Sequence, residues 1–420
     1  METFIIERSG PLHGTVEVNG AKNAALPILA ACLLTDDESV IEHVPRVTDV
    51  VTMTKILEVL GVDVEWDEHR VAIRPGKFSG WTAPYELVNL MRASICVLGP
   101  LLARQGRARV SMPGGCVIGP RPIDLHLKGL EQLGASIVVD HGDIMARAER
   151  LRGATMHLAG AFGSSVLATA NVMMAATLAD GDTLIEQAAR EPEVVDLANF
   201  LIAMGAKISG QGSSVIRVEG VPRLHGARHR VIADRVEAGT LMMAVAITCG
   251  DATIKGIARE HLGAVWEKLH EAGVLLESLD GSTRVCATHR LKSVDVTTLP
   301  FPGFPTDLQA QMTTLMSSAD GVSVISERIY PERFMHVAEL IRMGAQIARD
   351  GATAVIKGVE RLSGAPVAGS DLRGAAALIL AGLAADNHTE LRGIEHLDRG
   401  YEGFEHKLTR LGAKIRREQR

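Results

Sequence analysis

Two hydrophobic patterns alternate along the chain. In the first, an apolar helix end runs into a glycine and then into an alternating strand: VLGVDVE, QLGASIV, AMGAKIS, EAGVLLE, RMGAQIA and RLGAKIR, with Gly61, Gly134, Gly205, Gly273, Gly344 and Gly412. This predicts a helix whose C-terminal glycine turns left-handed straight into a strand, at a spacing of roughly 70 residues. In the second, helices rich in small residues begin at Ala25, Ser94, Ala168, Ala238, Leu308 and Ala375. They are apolar or small nearly all round, where a surface helix would show one stripe, so each must be buried on every side. Six such helices flanked by short strands cannot share one centre, because single cores stop growing at about 250 to 300 residues. The expected fold is α/β, with two bodies of three repeats each. Buried helices lie inside, and strands and amphipathic helices such as 50–60 form the outer layer. One long solenoid is the alternative, and its end repeats should look atypical. No linker marks the joint; counting repeats places it near residue 232, giving domains 22–232 and 1–21 plus 233–420.

Composition narrows the function. The 420 residues are 46% hydrophobic and 22% charged, an ordinary globular composition. A formal charge of −6 and 3% aromatic residues supply neither the cationic patch nor the stacking platform of a nucleic-acid binder. The five cysteines, Cys32, Cys96, Cys116, Cys249 and Cys286, form no Cys-x-x-Cys pair and read as free thiols in a reducing compartment, so the cytoplasm is expected. The longest apolar run, 24–34, is too short to cross a bilayer, and METFIIERSG has acids where a secretory signal needs a cationic start. No membrane association is expected.

Candidate chemistry sits at the starts of the buried helices. Lys22, Arg92, Arg235 and Arg373 occupy one local position in repeats one, two, four and six. A cation there opposes the helix dipole; the placement makes sense if an anion is held between the helix end and the side chain. The fifth repeat has Asp307 instead, either ordinary first-turn chemistry with Thr306 as cap or a general base. The third has Ser164 and Ser165, which bind phosphate or cap the helix. In PGGCVIGPRPIDLH, Cys116 follows two glycines and precedes Arg121, which lowers a thiol pKa. A last loop carries Asp398, Arg399 and Gly400, a binding element or a plain charged loop.

Taken together, GAKNAALP at 20–27, MRAS at 91–94, PGGCVIGPRPIDLH at 113–126, REPEVVDLANFL at 190–201, FPTDLQAQ at 304–311, ERFMHV at 332–337, SDLRGAAALILAG at 370–382 and DRGYE at 398–402 closely resemble the enolpyruvyltransferase family. The likeness is to its branch that uses UDP-N-acetylglucosamine. It runs nearly end to end and in order. It implies two inside-out α/β barrel domains of three repeats each. It also implies transfer of the enolpyruvyl group of phosphoenolpyruvate to the 3-hydroxyl of UDP-N-acetylglucosamine, releasing phosphate through a tetrahedral ketal, at the first committed step of peptidoglycan synthesis. No cofactor or metal is implied; the partners are the two small-molecule substrates. By the same resemblance Cys116 is the proton donor to phosphoenolpyruvate, Asp307 accepts the sugar hydroxyl's proton, and Lys22 and Arg399 complete the catalytic set. Lys22, Asn23, Arg121, Arg333, Arg373 and Arg399 would bind phosphoenolpyruvate. Asn23, Arg92, Arg121, Pro122, Ile123, Asp124, Leu125, Ser164, Ser165, Val166, Asp307 and Ile329 would bind the sugar nucleotide. The third repeat departs from the family: members carry Lys-Val-Ser-Val-Gly or Phe-Pro-Ser-Val-Gly where this chain has Gly163-Ser164-Ser165-Val166-Leu167, and the segment before it is longer. An enolpyruvyltransferase for a different nucleotide acceptor is therefore the alternative. A non-catalytic nucleotide-sugar sensor would be expected to have lost Cys116, Asp307 or an arginine.

Overall fold

Each repeat begins with its buried helix, because only the interior suits a helix that is apolar on all sides. In the computed structural model, which describes residues 2–113 and 123–419, the first repeat runs through helix Lys22–Ala31, strand Ser39–Glu42, helix Thr48–Val59 and the strand pair Asp63–Asp67 and Arg70–Arg74. The outer helix, expected over 50–60, starts two residues earlier. Between it and the next strand stands Gly61 at φ 93°, and its five equivalents lie at 95°, 99°, 99°, 89° and 98°. A side chain at these positions would strain the backbone, so the glycine is what lets the outer helix stop and the strand begin at once.

Among the described residues there are six four-stranded sheets of one design. The strand after the buried helix pairs antiparallel with the second strand of a hairpin, and parallel with a short strand handed on from another repeat. Thr82–Ala83 leaves the first repeat to pair with Arg107–Ser111, and Thr155–His157 leaves the second to pair with Asp182–Glu186. Arg228–Arg230 returns from the third repeat to Ser39–Glu42, Arg228 opposite Val40. Three sheets are thus closed in a cycle. The same occurs in the other half through Val296–Thr297, Pro366–Ala368 and His13–Glu17. A cycle of three has no end repeats, so the solenoid alternative does not describe this chain.

The last sheet differs in one respect. Its strand Lys414–Gln419 pairs antiparallel not with a following strand but with Glu2–Glu7, Glu2 opposite Gln419. Phe4 and Ile6 of that first strand are fully buried, worth roughly 2 to 3 kcal/mol each.

The chain forms two compact units, residues 2–19 with 233–419 and residues 20–113 with 123–232, each with its own apolar core. Two buried helices begin as 3-10 turns: Arg92–Val97 precedes Leu98–Gln105, and Thr306–Leu308 precedes Gln309–Ser317. In the second and third repeats the helices meet through a glycine. A β-carbon on Gly99 would lie 2.4 Å from the backbone oxygen of Asn171. The Asn171 amide, fully buried in a mostly apolar helix, accepts from the Gly99 N–H at 2.7 Å and donates to the Ile95 carbonyl at 2.8 Å and toward His126 Nδ1 at 3.1 Å, so its polarity is satisfied. Among the described residues no helix is long and apolar enough to cross a membrane.

Candidate active site

In the unit of residues 20–232, Lys22 is the first residue of its buried helix and is itself buried. A helix start repels an ammonium group. Asp49, in the first turn of the outer helix and also buried, offsets this with a 3.0 Å ion pair to Lys22 Nζ. Asn23 follows, half-buried. Arg92 opens the 3-10 turn of the second repeat, also half-buried. Burial first, and then the Arg92 charge, push the His126 imidazole down to about 3, so His126 is neutral and its Nδ1 can accept from Asn171.

Ile123 is buried just before helix Asp124–Gln132, in whose first turn Asp124 is exposed and Leu125 half-buried. The longer third-repeat segment is a small hairpin, Ala159–Gly160 against Gly163–Ser164, with Phe162 exposed at its tip. A β-carbon on Gly160 would stand 3.7 Å from Leu125 Cδ1, so the structure brings Leu125 and this hairpin together. Ser165 caps helix Val166–Ala176, its side chain accepting from the Ala168 N–H at 3.3 Å. Of the two roles expected for this serine pair, the structure shows the cap. Cys116, Arg121 and Pro122 lie outside the described residues. Two of the other cysteines, Cys32 and Cys96, are fully buried, and burial pushes both thiols up to about 12, unlike a reactive thiol.

In the unit containing residues 233–419, three expected residues converge. Asp307 Oδ1 accepts from Arg333 Nη1 at 2.8 Å and Oδ2 from Arg373 Nη2 at 2.9 Å. Both arginines are buried, Arg373 as the second residue of helix Leu372–Ala384. Burial alone would raise the Asp307 carboxyl, but the Arg373 and Arg333 charges outweigh it and hold the group well below the usual carboxylate range. Thr306 is not the cap expected for this helix; its hydroxyl donates to Glu327 at 2.9 Å and accepts from Arg333 at 3.1 Å. Arg373 also lies over the Tyr401 ring at 5.3 Å, and the Tyr401 hydroxyl is held by Thr240 at 2.8 Å and Gln311 Nε2 at 3.2 Å. His336 is buried nearby and lowered to about 4, by burial first and by Arg333, against the opposing pull of Asp371; it adds no charge.

Arg399 ends the 3-10 turn Ile394–Arg399, half-buried. Its neighbour Asp398 faces Arg417, which grips it with two bonds of 2.9 and 2.8 Å, so the acid of this loop anchors it. Gly400 follows where a β-carbon would sit 2.8 Å from Leu372 Cδ2, bringing the loop against the Arg373 helix. Ile329 is half-buried on the turn after strand Val322–Ser326. Sequence reasoning gave Thr306 only the role of a cap and missed Asp49, Gln311 and Glu327. Of these three, Asp49 alone had a local signal, an acid in a first helical turn, though nothing pointed it at Lys22.

In the unit containing residues 233–419 the arrangement is one carboxylate, Asp307, gripped between Arg373 at the start of a buried helix and Arg333 just before helix His336–Arg342. Such a site can bind a multiply charged anion, and the carboxylate can take a proton when the anion occupies its arginines. Comparison with known proteins agrees. Residues 6–408 match the EPSP synthase (3-phosphoshikimate 1-carboxyvinyltransferase) family. The UDP-N-acetylglucosamine 1-carboxyvinyltransferase of Methylacidiphilum infernorum is 52% identical over 99% of both chains. The UDP-N-acetylglucosamine 1-carboxyvinyltransferase 2 of Carboxydothermus hydrogenoformans is 53% identical, again over 99% of both. Among solved structures, the enolpyruvyl transferase NikO from Streptomyces tendae superposes with a TM-score of 0.90 at 24% identity, over 99% of this chain and 98% of that one. An EPSP synthase from Acinetobacter baumannii gives 0.80 at 18% identity over the whole of both. These two show the fold, the enolpyruvyl transferase architecture that the resemblance implies. With repeats, cationic helix starts and similarity in agreement along nearly the whole length, the chain belongs to the EPSP synthase family of carboxyvinyltransferases.

Proposed function

We propose that the chain is a transferase that moves the enolpyruvyl group of phosphoenolpyruvate to the 3-hydroxyl of UDP-N-acetylglucosamine, the first committed step of peptidoglycan synthesis, in the cytoplasm. The observation that carries the reading is the Asp307 carboxylate clamped between Arg333 and Arg373. The full-length relatives at 52 to 53% identity supply the acceptor.

Phosphoenolpyruvate brings a carboxylate and a phosphate. Lys22, Asn23, Arg121, Arg333, Arg373 and Arg399 donate to these, the arginines as planar forks. Cys116 protonates the methylene carbon, which makes the neighbouring carbon electrophilic. The sugar's 3-oxygen attacks it while Asp307 takes the hydroxyl proton, giving a tetrahedral ketal. The carbon–oxygen bond to phosphate then breaks, the methyl carbon returns a proton, and the double bond re-forms. Negative charge gathers on the departing phosphate, so fixed cations stabilise the transition state more than the ground state. As long as Asp307 is gripped by both guanidinium groups it is a poor base; a substrate anion that competes for them releases it. Arg92, Pro122, Ile123, Asp124, Leu125, Ser164, Ser165, Val166 and Ile329 hold the nucleotide sugar. In place of the family's lysine, the third repeat has hydroxyls and the hairpin 159–164.

The test is phosphate release from phosphoenolpyruvate with UDP-N-acetylglucosamine, beside UMP, UDP-glucose and shikimate 3-phosphate, for the wild type and Cys116→Ala. Release with UDP-N-acetylglucosamine alone, lost in the variant near neutral pH, is expected. Turnover with another acceptor and silence with this one would move the protein to a different pathway.

A further inference from the structure

Glu327 is fully buried, and no part of the proposed chemistry uses it. A buried carboxylate survives only with its lone pairs met, and here the partners are informative. Oε1 accepts from the Thr298 hydroxyl at 2.7 Å and from the backbone N–H groups of Ile329 at 2.8 Å and Tyr330 at 2.9 Å. Oε2 accepts from the Thr306 hydroxyl at 2.9 Å. Because that hydroxyl spends its only proton on Glu327, it turns a lone pair to Arg333 Nη1, 3.1 Å away. The same Arg333 nitrogen bonds Asp307. One oxygen therefore fixes the turn that carries Ile329, and the other orients, through Thr306, the guanidinium group beside Asp307. Thr298 receives the Arg328 N–H at 2.9 Å, so the turn is tied down at three successive amides.

We propose that Glu327 is a positioning residue for both substrates, setting Arg333 for phosphoenolpyruvate through Thr306 and Ile329 for the sugar nucleotide through the backbone. This rests on the proposed function, which places Arg333 and Ile329 against those two ligands. A carboxylate is required, because both oxygens must accept. Glu327→Gln keeps the shape, but an amide oxygen turned to the backbone donors leaves an NH2 facing Thr306. The threonine proton then loses its acceptor, and the hydroxyl its fixed direction.

Steady-state kinetics with each substrate varied in turn separate this role from a scaffold role, since lost positioning raises KM, and a misdirected Arg333 also lowers kcat because its charge counts for more in the transition state. Glu327→Gln is expected to raise KM for both substrates by roughly tenfold, the scale of one weakened hydrogen bond of about 1.4 kcal/mol. Thr306→Val breaks only the route to Arg333 and is expected to raise KM for phosphoenolpyruvate alone, with Thr306→Ser restoring it. A Glu327→Gln enzyme with a lower melting temperature and both KM values unchanged overturns the proposal. So does a Thr306→Val enzyme with an unchanged KM for phosphoenolpyruvate, which decides the matter if the glutamine variant does not fold. A wild type that turns over while its variants keep wild-type KM values sinks this inference alone; a wild type silent with both substrates overturns the functional reading and this inference with it.

Discussion

Asp307 carries its charge against two buried guanidinium groups, and its titration follows from that. Its carboxyl is lowered in the folded protein, so the stability it contributes is fully present above the ordinary carboxylate range, about 3.9. That contribution is lost as pH falls through the lowered value. Asp307→Asn leaves Arg333 and Arg373 facing each other without the carboxylate between them. Urea unfolding is expected to show a loss of about 3 kcal/mol at neutral pH, the lower end for breaking a buried pair, because the carboxylate is only half-buried. The gap between variant and wild type should shrink below the ordinary carboxylate range, and turnover should fall by roughly 10² to 10⁴ for want of a base. An unchanged turnover would remove Asp307 from the chemistry. At this scale the sequence was legible where a residue breaks a local rule. Arg373 at a helix start is electrostatically wrong unless something anionic meets it, and Asp307 is that something in the structure. Glu327 breaks no local rule, since a glutamate after a strand looks like any solvated charge. Only the fold buries it.

The elements were the most legible part, because each signal is local. A helix apolar all round has one possible environment, and a glycine between an amphipathic helix and an alternating strand has one use; all six glycines have positive φ. The 3-10 entries at Arg92–Val97 and Thr306–Leu308 were not legible, since they depend on how the helix starts are packed. Nor was the pairing of buried helices through Gly99 and Asn171. A β-carbon on Gly99 would meet both the backbone oxygen of Asn171 and, at 2.6 Å, its side-chain oxygen, and neither can retreat without giving up a hydrogen bond. Gly99→Ala is therefore expected to cost about 1 to 3 kcal/mol of stability, as overpacking does, measured by denaturant midpoint at unchanged slope. A neutral result would mean that these helices slide freely past each other.

For the molecule as a whole, the count of repeats was available from the sequence but the exchange of strands between them was not, because pairing across hundreds of residues leaves no periodic trace. Four repeats join their hairpin strands by two residues, as at 141–142 and 351–352. In the sixth repeat the corresponding strands, Lys414–Gln419 and Glu2–Glu7, come from opposite ends of the sequence. Removing residues 2–7 would leave His388–Arg392 and Lys414–Gln419 without the strand between them and take Phe4 and Ile6 from the core. Calorimetry is expected to show the cooperative transition of the 233–419 unit lost and that of the 20–232 unit kept; loss of both would mean the cores are not independent. The strand arrangement also sets an order of events during synthesis. The 20–232 unit has all of its strands once residue 232 is made, whereas strand 2–7 emerges first and finds its partner last. At roughly 5 to 20 residues per second, that wait is on the order of 20 to 80 s. Throughout it, a segment with three consecutive apolar residues, Phe4 to Ile6, is available for pairing with other nascent chains, and the glutamates at the two ends of the strand, Glu2 and Glu7, are the charges that keep such strands apart.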